Sequence, residues 1–404
     1  MLYFTYQLQS DLLDPVRTAA RTLLDTLGDR IRGSGPFSRV AAAWELLSRA
    51  KLSHQRPPFG IDRVAVGNSD VPVSEVPVAA TPFCTLLHFR KDMATLQAQP
   101  RVLVVAPLSG HFSTLLRGTV RTLLAEHDVF ITDWHNARDV PLRDGRFGFD
   151  DYIAHVIRFL EMIGPGGHVL AVCQPRVQVL AAAAVMAGEG NPAQPRSMTL
   201  MAGPIDTRIN PTTVNALATD RPIEWFERKL VTTVPWPHKG IGRRVYPGFM
   251  QLLAFMSMNL ERHQKAHRDL YKHLVKGEHE QAETIKSFYD EYFAVLDLPA
   301  EFYLETVRTV FQEALLAKGR LTFRGQRVDP AAIRQTALLT VEGERDDICA
   351  LGQTAAVHDL CTGLKPHMKR HHMQTGAGHY GVFSGRRWET QIYPIVRNVV
   401  LSTS

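Results

Sequence analysis

Short, mainly apolar segments that alternate with amphipathic stretches constrain the fold of this 404-residue chain more than any other feature. Apolar runs of this length are typical of strands buried on both faces of a parallel sheet, and apolar residues at helical intervals are typical of the helices that connect them. The predicted strands are residues 102–106, 129–134, 168–172 and 198–202, and the predicted helices are residues 113–124, 151–163 and 177–186. The alternation predicts an α/β fold with a mostly parallel sheet and helices on both faces.

The alternation stops after Pro204, and the strand pattern resumes only at residues 336–341 and near Met373. Long helices are predicted over residues 246–258, 280–295 and 302–317. This stretch is rich in large apolar side chains, among them Trp225, Phe226, Trp236, Tyr246, Phe249 and Phe255. We interpret it as a helical lid inserted into the sheet protein, whose aromatic residues either bind an apolar substrate or form a second core. The predicted division is an N-terminal helical segment (1–60), a first core part (61–204), the lid (205–334) and a second core part (335–404).

Residues 2–27 carry apolar side chains at helical spacing and predict an amphipathic helix. One interpretation is that its apolar face packs against the body of the protein. The other is that this face adsorbs to an apolar surface. Extended segments are predicted after it, over residues 71–76 and 83–89.

Composition narrows the possible partners and the compartment. The formal net charge of +6 is modest for this length, and the basic residues are scattered without interleaved aromatic residues, so no nucleic-acid partner is predicted. No segment is apolar enough for a membrane span or a secretion signal, which predicts a cytoplasmic protein. The four cysteines, Cys84, Cys173, Cys349 and Cys361, form neither a disulfide framework nor a CxxC pair. The sequence also contains no H-E-x-x-H segment, no P-loop and no EF-hand loop, so we expect no metal and no cofactor.

Cys173 lies where the predicted strand 168–172 ends and the next helix begins. This is the position of the nucleophile in an α/β-hydrolase, where a sharp turn presents the side chain above the sheet. The usual signature is G-x-S-x-G, but here Ala171 and Pro175 replace the two glycines and cysteine replaces serine. The helix N-terminus would lower the pKa of a thiol at this position. The alternative is a buried structural cysteine.

An acid and a histidine further along the chain complete a catalytic arrangement with Cys173. They follow it in the order that α/β-hydrolases use, which is nucleophile, acid, histidine. Asp346 follows the predicted strand 336–341, and His379 lies among small residues in the segment GAGHYG. The histidine would take the thiol proton, and the carboxylate would hold its tautomer and stabilise its charge. For the oxyanion hole we predict the backbone N–H groups of Gln174 and Leu108, with Ser109 as the alternative to Leu108.

Several segments resemble those of intracellular polyhydroxyalkanoate depolymerases of the short-chain type, nearly from end to end. They are MLY…LQSDLLDP, APLSGH with TLLRGTVRTLL, VYPGFMQ, FYDEY with AVLDLPAEFYLET, TVEGERDDI and AGHYGVFSGRRW, together with VCQP around Cys173. The resemblance implies an α/β-hydrolase fold and a cytoplasmic enzyme associated with polyester granules, which hydrolyses amorphous poly(3-hydroxybutyrate). It also implies that Cys173, Asp346 and His379 are the nucleophile, acid and histidine.

Two other functions stay open at this point. A polyester synthase or other acyltransferase would pass the same acyl-enzyme to a hydroxyl or thiol acceptor, including coenzyme A. The residues Ala171 and Pro175 argue against the synthases, which usually have glycines beside their cysteine. A granule-binding protein on an inactive hydrolase scaffold is the non-enzymatic alternative. The oligomeric state is not predicted.

Overall fold

The structure, a computed structural model, describes residues 2–32, 35–92, 98–258 and 260–404. It begins with two helices, α1 (Leu2–Arg32) and α2 (Gly35–Arg49). The predicted amphipathic helix over residues 2–27 is confirmed, and α1 continues beyond it by about one turn.

The two sides of α1 have different environments. Tyr3, Ala20 and Leu24 are buried against the rest of the protein, and the Tyr3 hydroxyl donates to the carboxylate of Asp297 at 2.6 Å. The exposed side carries four large apolar residues at intervals of four, namely Phe4, Leu8, Leu12 and Val16. Because this spacing places them along one side of a helix, they form a stripe, which we call the α1 stripe. The helix thus packs through one face while it exposes apolar surface on another.

Strands β1 to β7 and helices α3 to α5 follow. The strands are β1 (Arg63–Val66), β2 (Ser69–Ala80), β3 (Cys84–Lys91), β4 (Arg101–Val105), β5 (Asp128–Trp134), β6 (His168–Val172) and β7 (Ser197–Met201). The helices are α3 (Arg117–Leu124), α4 (Phe149–Ile163) and α5 (Arg176–Gly188). Strands β4 to β7 coincide with the four predicted apolar segments. Every residue of β6 and β7 is buried, as expected of strands covered on both faces.

The segment between β7 and the next strand of the main sheet is mostly helical. Its helices are α6 (Thr213–Asp220), α7 (Ile223–Leu230), α8 (Gly248–Met258), α9 (Leu260–Lys276), α10 (His279–Tyr292) and α11 (Ala300–Thr306). Its short strands are β8 (Thr232–Thr233), β9 (Arg244–Tyr246), β10 (Leu298–Pro299), β11 (Thr322–Phe323) and β12 (Gln326–Arg327).

The predicted helix over residues 302–317 is wrong in its extent. Helix α11 gives way to a π-helical turn, Val307–Gln312, and Ala314 then adopts a φ of +46°. A residue in the left-handed region ends a right-handed helix because the backbone hydrogen-bond pattern cannot continue through it. Helix α9 was not among the predicted helices.

The chain then returns to the main sheet. Its last strands are β13 (Ala337–Gly343) and β14 (Lys369–Gln374), which confirm the strands predicted at 336–341 and near Met373. The remaining helices are α12 (Val357–Leu360), α13 (Gly385–Arg387) and α14 (Tyr393–Thr403).

In the part of the chain that the structure describes, the main sheet has nine strands in the order β1-β2-β3-β5-β4-β6-β7-β13-β14. The pairs from β1 through β3 to β5 are antiparallel, and the pairs from β5 to β14 are parallel. Val172 pairs with Met201, and Met201 pairs with Val341, so β6, β7 and β13 end at the same edge of the sheet. This largely parallel sheet with crossover helices and a helical insertion is the α/β-hydrolase fold.

The insertion packs onto the core of the sheet. Leu296 and Phe302 belong to the same apolar cluster as the buried residues of β4, β6 and β13. The division of the chain at residues 60, 204 and 334 stays a prediction. Among the residues that the structure describes, no helix combines the length and the apolar character needed to cross a membrane.

Candidate active site

Cys173 occupies the turn between β6 and α5. Its φ is +61°, in the left-handed region that residues other than glycine seldom adopt, and its N–H donates to the carbonyl oxygen of Met201 at 3.0 Å. Such a turn between strand and helix aims the side chain away from the sheet edge. The Cys173 side chain is partly exposed, whereas the other three cysteines are buried. Cys173 is therefore the one cysteine of the chain that a substrate could reach.

His379 lies in a short helical turn, His379–Val382, that follows β14. Its Nε2 is 3.2 Å from the Sγ of Cys173, although the two residues are 206 positions apart in the sequence. The His379 residue is only 6% exposed. This distance is short enough for a hydrogen bond between thiol and imidazole, and hence for proton transfer between them.

Asp346 follows β13 and binds the other nitrogen of the same ring. Its Oδ2 and Oδ1 lie 2.9 and 3.1 Å from His379 Nδ1. Oδ1 also accepts the backbone N–H groups of Ile348 and Cys349, each at 2.9 Å. These bonds hold the carboxylate in place and require Nδ1 to carry a proton, which leaves Nε2 facing the thiol. The structure therefore brings Cys173, His379 and Asp346 into one hydrogen-bonded chain.

The thiol and the imidazole change each other's protonation. Burial alone would raise the pKa of the Cys173 thiol, but the neighbouring His379 and the guanidinium of Arg176 outweigh burial and hold this pKa below its ordinary value. Burial alone would lower the pKa of His379, but the charges of Cys173 and Asp346 outweigh it and raise this pKa. Both shifts favour a thiolate beside an imidazolium at neutral pH.

The two residues predicted to form the oxyanion hole are in contact. The N–H of Leu108 donates to the side-chain oxygen of Gln174 at 3.2 Å. The backbone N–H of Gln174 makes no hydrogen bond to any residue that the structure describes. Two hydrogen bonds to the insertion hold the loop that contains Leu108. The backbone N–H of Leu296 donates to the carbonyl oxygen of Gly110, and the Nε2–H of His111 donates to the carbonyl oxygen of Tyr292. Sequence reasoning did not foresee the Gln174 side chain at this position.

Aromatic rings surround the imidazole of His379. Tyr380 and Phe383 contact it edge-on, with ring centroids at 5.7 and 5.5 Å. From the insertion, Tyr292 lies against Tyr380 at 6.3 Å. Of the aromatic residues from which the lid was predicted, Trp236 is 79% exposed and therefore lies outside any core. The ring pair at the site, Tyr380 and Phe383, was not predicted.

A second residue that sequence reasoning missed is Arg176, the first residue of α5. It is fully buried, and its guanidinium donates to the carbonyl oxygen of Cys173. An arginine at the start of a helix normally points into solvent, so no local pattern indicates this placement. Within the described part of the chain, no group of three His, Cys, Asp or Glu side chains is arranged to hold a metal ion.

Comparison with solved structures finds related folds at low sequence identity. BpoC from Mycobacterium tuberculosis H37Rv matches with a TM-score of 0.46 and 14% identity, over 84% of this chain and 98% of that one. The 2-hydroxy-6-oxo-6-phenylhexa-2,4-dienoate hydrolase of Rhodococcus sp. strain RHA1 matches with a TM-score of 0.40 and 12% identity, over 81% and 99%. A thermophilic esterase from Thermogutta terrifontis matches with a TM-score of 0.39 and 12% identity, over 83% of this chain and 98% of that one.

Comparison by sequence is more specific. No curated protein matches the chain at a significant level. The family model described as "PHB de-polymerase C-terminus", in which PHB is poly(3-hydroxybutyrate), matches residues 202–404, just over half of the chain. The matched segment contains both Asp346 and His379, while Cys173 precedes it. The chain belongs to the PHB depolymerase family, and it carries that family's carboxyl-terminal domain on an α/β-hydrolase fold.

Proposed function

We propose that the protein hydrolyses the ester bonds of amorphous poly(3-hydroxybutyrate) inside the cell, through an acyl-enzyme on Cys173. His379 is the acid and base of this reaction, and Asp346 orients and stabilises the imidazole. The products are oligomers or monomers of 3-hydroxybutyrate. Membership of the PHB depolymerase family supports the choice of polyester as substrate.

One observation supports the proposal above all others. It is the series of contacts that links the Sγ of Cys173 through His379 to the carboxylate of Asp346. Cys173 Sγ lies 3.2 Å from His379 Nε2, and His379 Nδ1 lies 2.9 Å from Asp346 Oδ2. A nucleophile, a base within hydrogen-bond reach and a third group that orients the base are what acyl transfer to a side chain requires. The lowered pKa of the thiol supports its use as a nucleophile.

In the acylation step, the thiolate of Cys173 attacks the ester carbonyl carbon and forms a C–S bond. The tetrahedral intermediate collapses with cleavage of the C–O bond of the ester. The leaving alkoxide takes the proton from Nε2 of the His379 imidazolium and departs as a hydroxyl chain end. A thioester on Cys173 and a neutral His379 remain.

In the deacylation step, His379 Nε2 takes a proton from water, which attacks the thioester carbonyl. The C–S bond breaks, the carboxylic acid product leaves, and the thiolate and imidazolium are restored. In both steps the negative oxygen needs hydrogen-bond donors. We assign this role to the backbone N–H groups of Gln174 and Leu108. A substrate carbonyl oxygen would replace the Gln174 side-chain oxygen as the acceptor at Leu108.

Incubation of the purified protein with amorphous poly(3-hydroxybutyrate) granules tests the proposed function. We expect soluble 3-hydroxybutyrate products to appear without added coenzyme A. If the only product is 3-hydroxybutyryl-CoA, formed when coenzyme A is added, the reaction is thiolysis and not hydrolysis. Polymer formation from 3-hydroxybutyryl-CoA without hydrolysis would identify a synthase instead. Binding to granules without any product would identify a protein that only binds them.

The polymer is also a surface to which the enzyme must adsorb, and we assign this contact to the α1 stripe. Phe4, Leu8, Leu12 and Val16 are 64%, 50%, 69% and 52% exposed. Large apolar residues exposed together along one side of a helix are typical of segments that bind apolar surfaces. The helix keeps its orientation because its other side is fastened through Tyr3 to Asp297.

The double substitution Leu8→Glu with Leu12→Glu is expected to reduce the granule-bound fraction roughly tenfold or more, because it places two charges in the apolar contact. Sedimentation with granules measures this fraction. Hydrolysis of a soluble 4-nitrophenyl butyrate should stay unchanged, since α1 does not contact Cys173. The control, Gln9→Glu with Thr18→Glu, adds the same charge at exposed polar positions of α1. Equal loss of binding in both variants would rule out the α1 stripe as the contact.

A further inference from the structure

Arg176 is a fully buried cation directly beside the candidate nucleophile. Its side chain has no exposed surface, and its Nη2 donates to the carbonyl oxygen of Cys173. Its Nη1 lies 3.4 Å from the hydroxyl of Thr354. Arginine is seldom buried to this degree unless a carboxylate pairs with it. The immediate partners of Arg176 are instead a backbone carbonyl and a hydroxyl.

No carboxylate of the described residues lies within 4.0 Å of the Arg176 nitrogens, and Nε has no hydrogen-bond partner among them. Hydrogen bonds connect Arg176 to the acid Glu342 only indirectly, through Thr354. Its Oε1 accepts the backbone N–H of Thr354 at 2.7 Å and that of Ala355 at 3.0 Å. The positive charge of Arg176 is therefore not cancelled by a direct ion pair.

Gly203 provides the space that the guanidinium occupies. A Cβ atom at this position would lie 0.9 Å from Nη2 of Arg176 and 2.6 Å from the carbonyl oxygen of Cys173. The turn after β7 is also bonded to Thr354, whose hydroxyl donates to the Gly203 carbonyl at 2.8 Å. The Arg176 side chain, Gly203 and Thr354 thus pack together behind the turn that contains Cys173.

The placement has two physical consequences. First, the φ of Cys173, +61°, is unfavourable for a residue with a Cβ. The hydrogen bond from Arg176 to the Cys173 carbonyl restrains the backbone in this conformation. Second, a guanidinium stays protonated even when buried, so it provides a permanent positive charge in a region of low dielectric constant. Such a charge stabilises an anion on the neighbouring sulfur.

We propose that Arg176 is a positioning residue for the reaction, which restrains the Cys173 turn and supplies a fixed positive charge that stabilises the thiolate. The inference rests on the proposed function of Cys173. Other titratable groups also act on the thiol electrostatically and contribute to its pH dependence: His379 from the turn after β14, Asp346 from the turn after β13, and the hydroxyls of Tyr152 and Tyr380.

Alkylation of Cys173 by iodoacetamide, followed from about pH 5 to pH 10 by mass spectrometry, tests the charge without using catalysis. In Arg176→Met, we expect the rate at about pH 6 to fall roughly tenfold, which corresponds to a rise of about one unit in the pKa of the thiol. Arg176→Lys keeps the charge and should recover most of this rate. We expect kcat of Arg176→Met to fall by a similar factor, while KM changes less than about twofold.

The matched control is Arg243→Met. Arg243 is also buried and donates to three backbone carbonyls, those of Val140, Pro141 and Gly145. Its replacement should lower thermal stability without moving the alkylation profile. If Arg176→Met and Arg243→Met leave the profile equally unchanged, Arg176 has only a structural role and the inference is wrong.

Two further results separate the possible failures. If Cys173 of the unmodified protein reacts as an ordinary thiol, the proposed function of Cys173 fails before the role of Arg176 is in question. If Arg176→Met does not fold, Gly203→Ala retains the arginine but displaces its guanidinium. We expect this variant to move the alkylation profile in the same direction, and an unchanged profile in folded Gly203→Ala would contradict the inference.

Discussion

Alanine at position 173 is expected to lower kcat for hydrolysis of a soluble butyrate ester by roughly 10⁴-fold or more. The reason is that Cys173→Ala removes the atom that forms the acyl-enzyme, so only binding and the backbone donors Gln174 and Leu108 remain. The measurement is the initial rate with 4-nitrophenyl butyrate, together with product release from amorphous poly(3-hydroxybutyrate).

Cys361→Ala is the matched control for this change. Cys361 is buried, and burial raises the pKa of its thiol to about 12, so it cannot act as a nucleophile at neutral pH. Activity of Cys361→Ala should be close to that of the unmodified protein. Ester hydrolysis that survives in Cys173→Ala would show that another residue carries the reaction. Cys173→Ser should be far less active than the unmodified protein, because a hydroxyl does not ionise in a site tuned to a thiolate.

Asp346→Asn is expected to reduce kcat roughly 10²- to 10⁴-fold and to move the alkaline limb of the pH profile to lower pH. An amide no longer requires a proton on Nδ1 of His379, so the ring can adopt the tautomer that is useless toward Cys173. The amide also lacks the negative charge with which the Asp346 carboxylate helps to stabilise the imidazolium.

The sign of the pH effect follows from the direction of the two shifts. Acylation needs a thiolate and an imidazolium, so activity should rise as the pH passes the lowered pKa of Cys173 and fall as it passes the raised pKa of His379. Asp346 is one of the groups that raise the pKa of His379. Without its charge, that pKa decreases and the active range becomes narrower at the alkaline end.

Asp347→Asn makes the same chemical change one residue further along, at an exposed side chain. It should leave both kcat and the alkaline limb nearly unchanged, as measured by kcat and kcat/KM between about pH 5 and pH 11. An Asp346→Asn protein with the unmodified pH profile would show that the carboxylate does not set the protonation of His379.

Much of the sheet could be predicted because its strands are buried on both faces. Strands β4, β6 and β7 are therefore mainly apolar, and they can be recognised in the sequence as short, mainly apolar runs. The insertion was predicted less well. Its helices differ in how much they are buried. The helical segment that begins with α11 continues through the π-helical turn and stops before Ala314, whose left-handed conformation is not indicated by its residue type.

The aromatic residues of the insertion illustrate the same difference. Their number predicts contact with something apolar, but their type does not say which of them face the site. In the structure, Tyr292 reaches Tyr380 beside His379, while Trp236 is exposed. That choice depends on how α10 packs against the turn after β14, which is a contact between distant parts of the chain.

By itself, the sequence determined the fold class and the order in which Cys173, Asp346 and His379 follow their strands, because local periodicity and turn position record both. Only the tertiary structure decided that Arg176 is buried behind Cys173, that the Gln174 side chain meets Leu108, and that α1 exposes an apolar stripe. These features depend on which surfaces meet when the sheet, the insertion and the N-terminal helix pack together. Because that packing joins residues far apart in the chain, no local pattern of residue types specifies it.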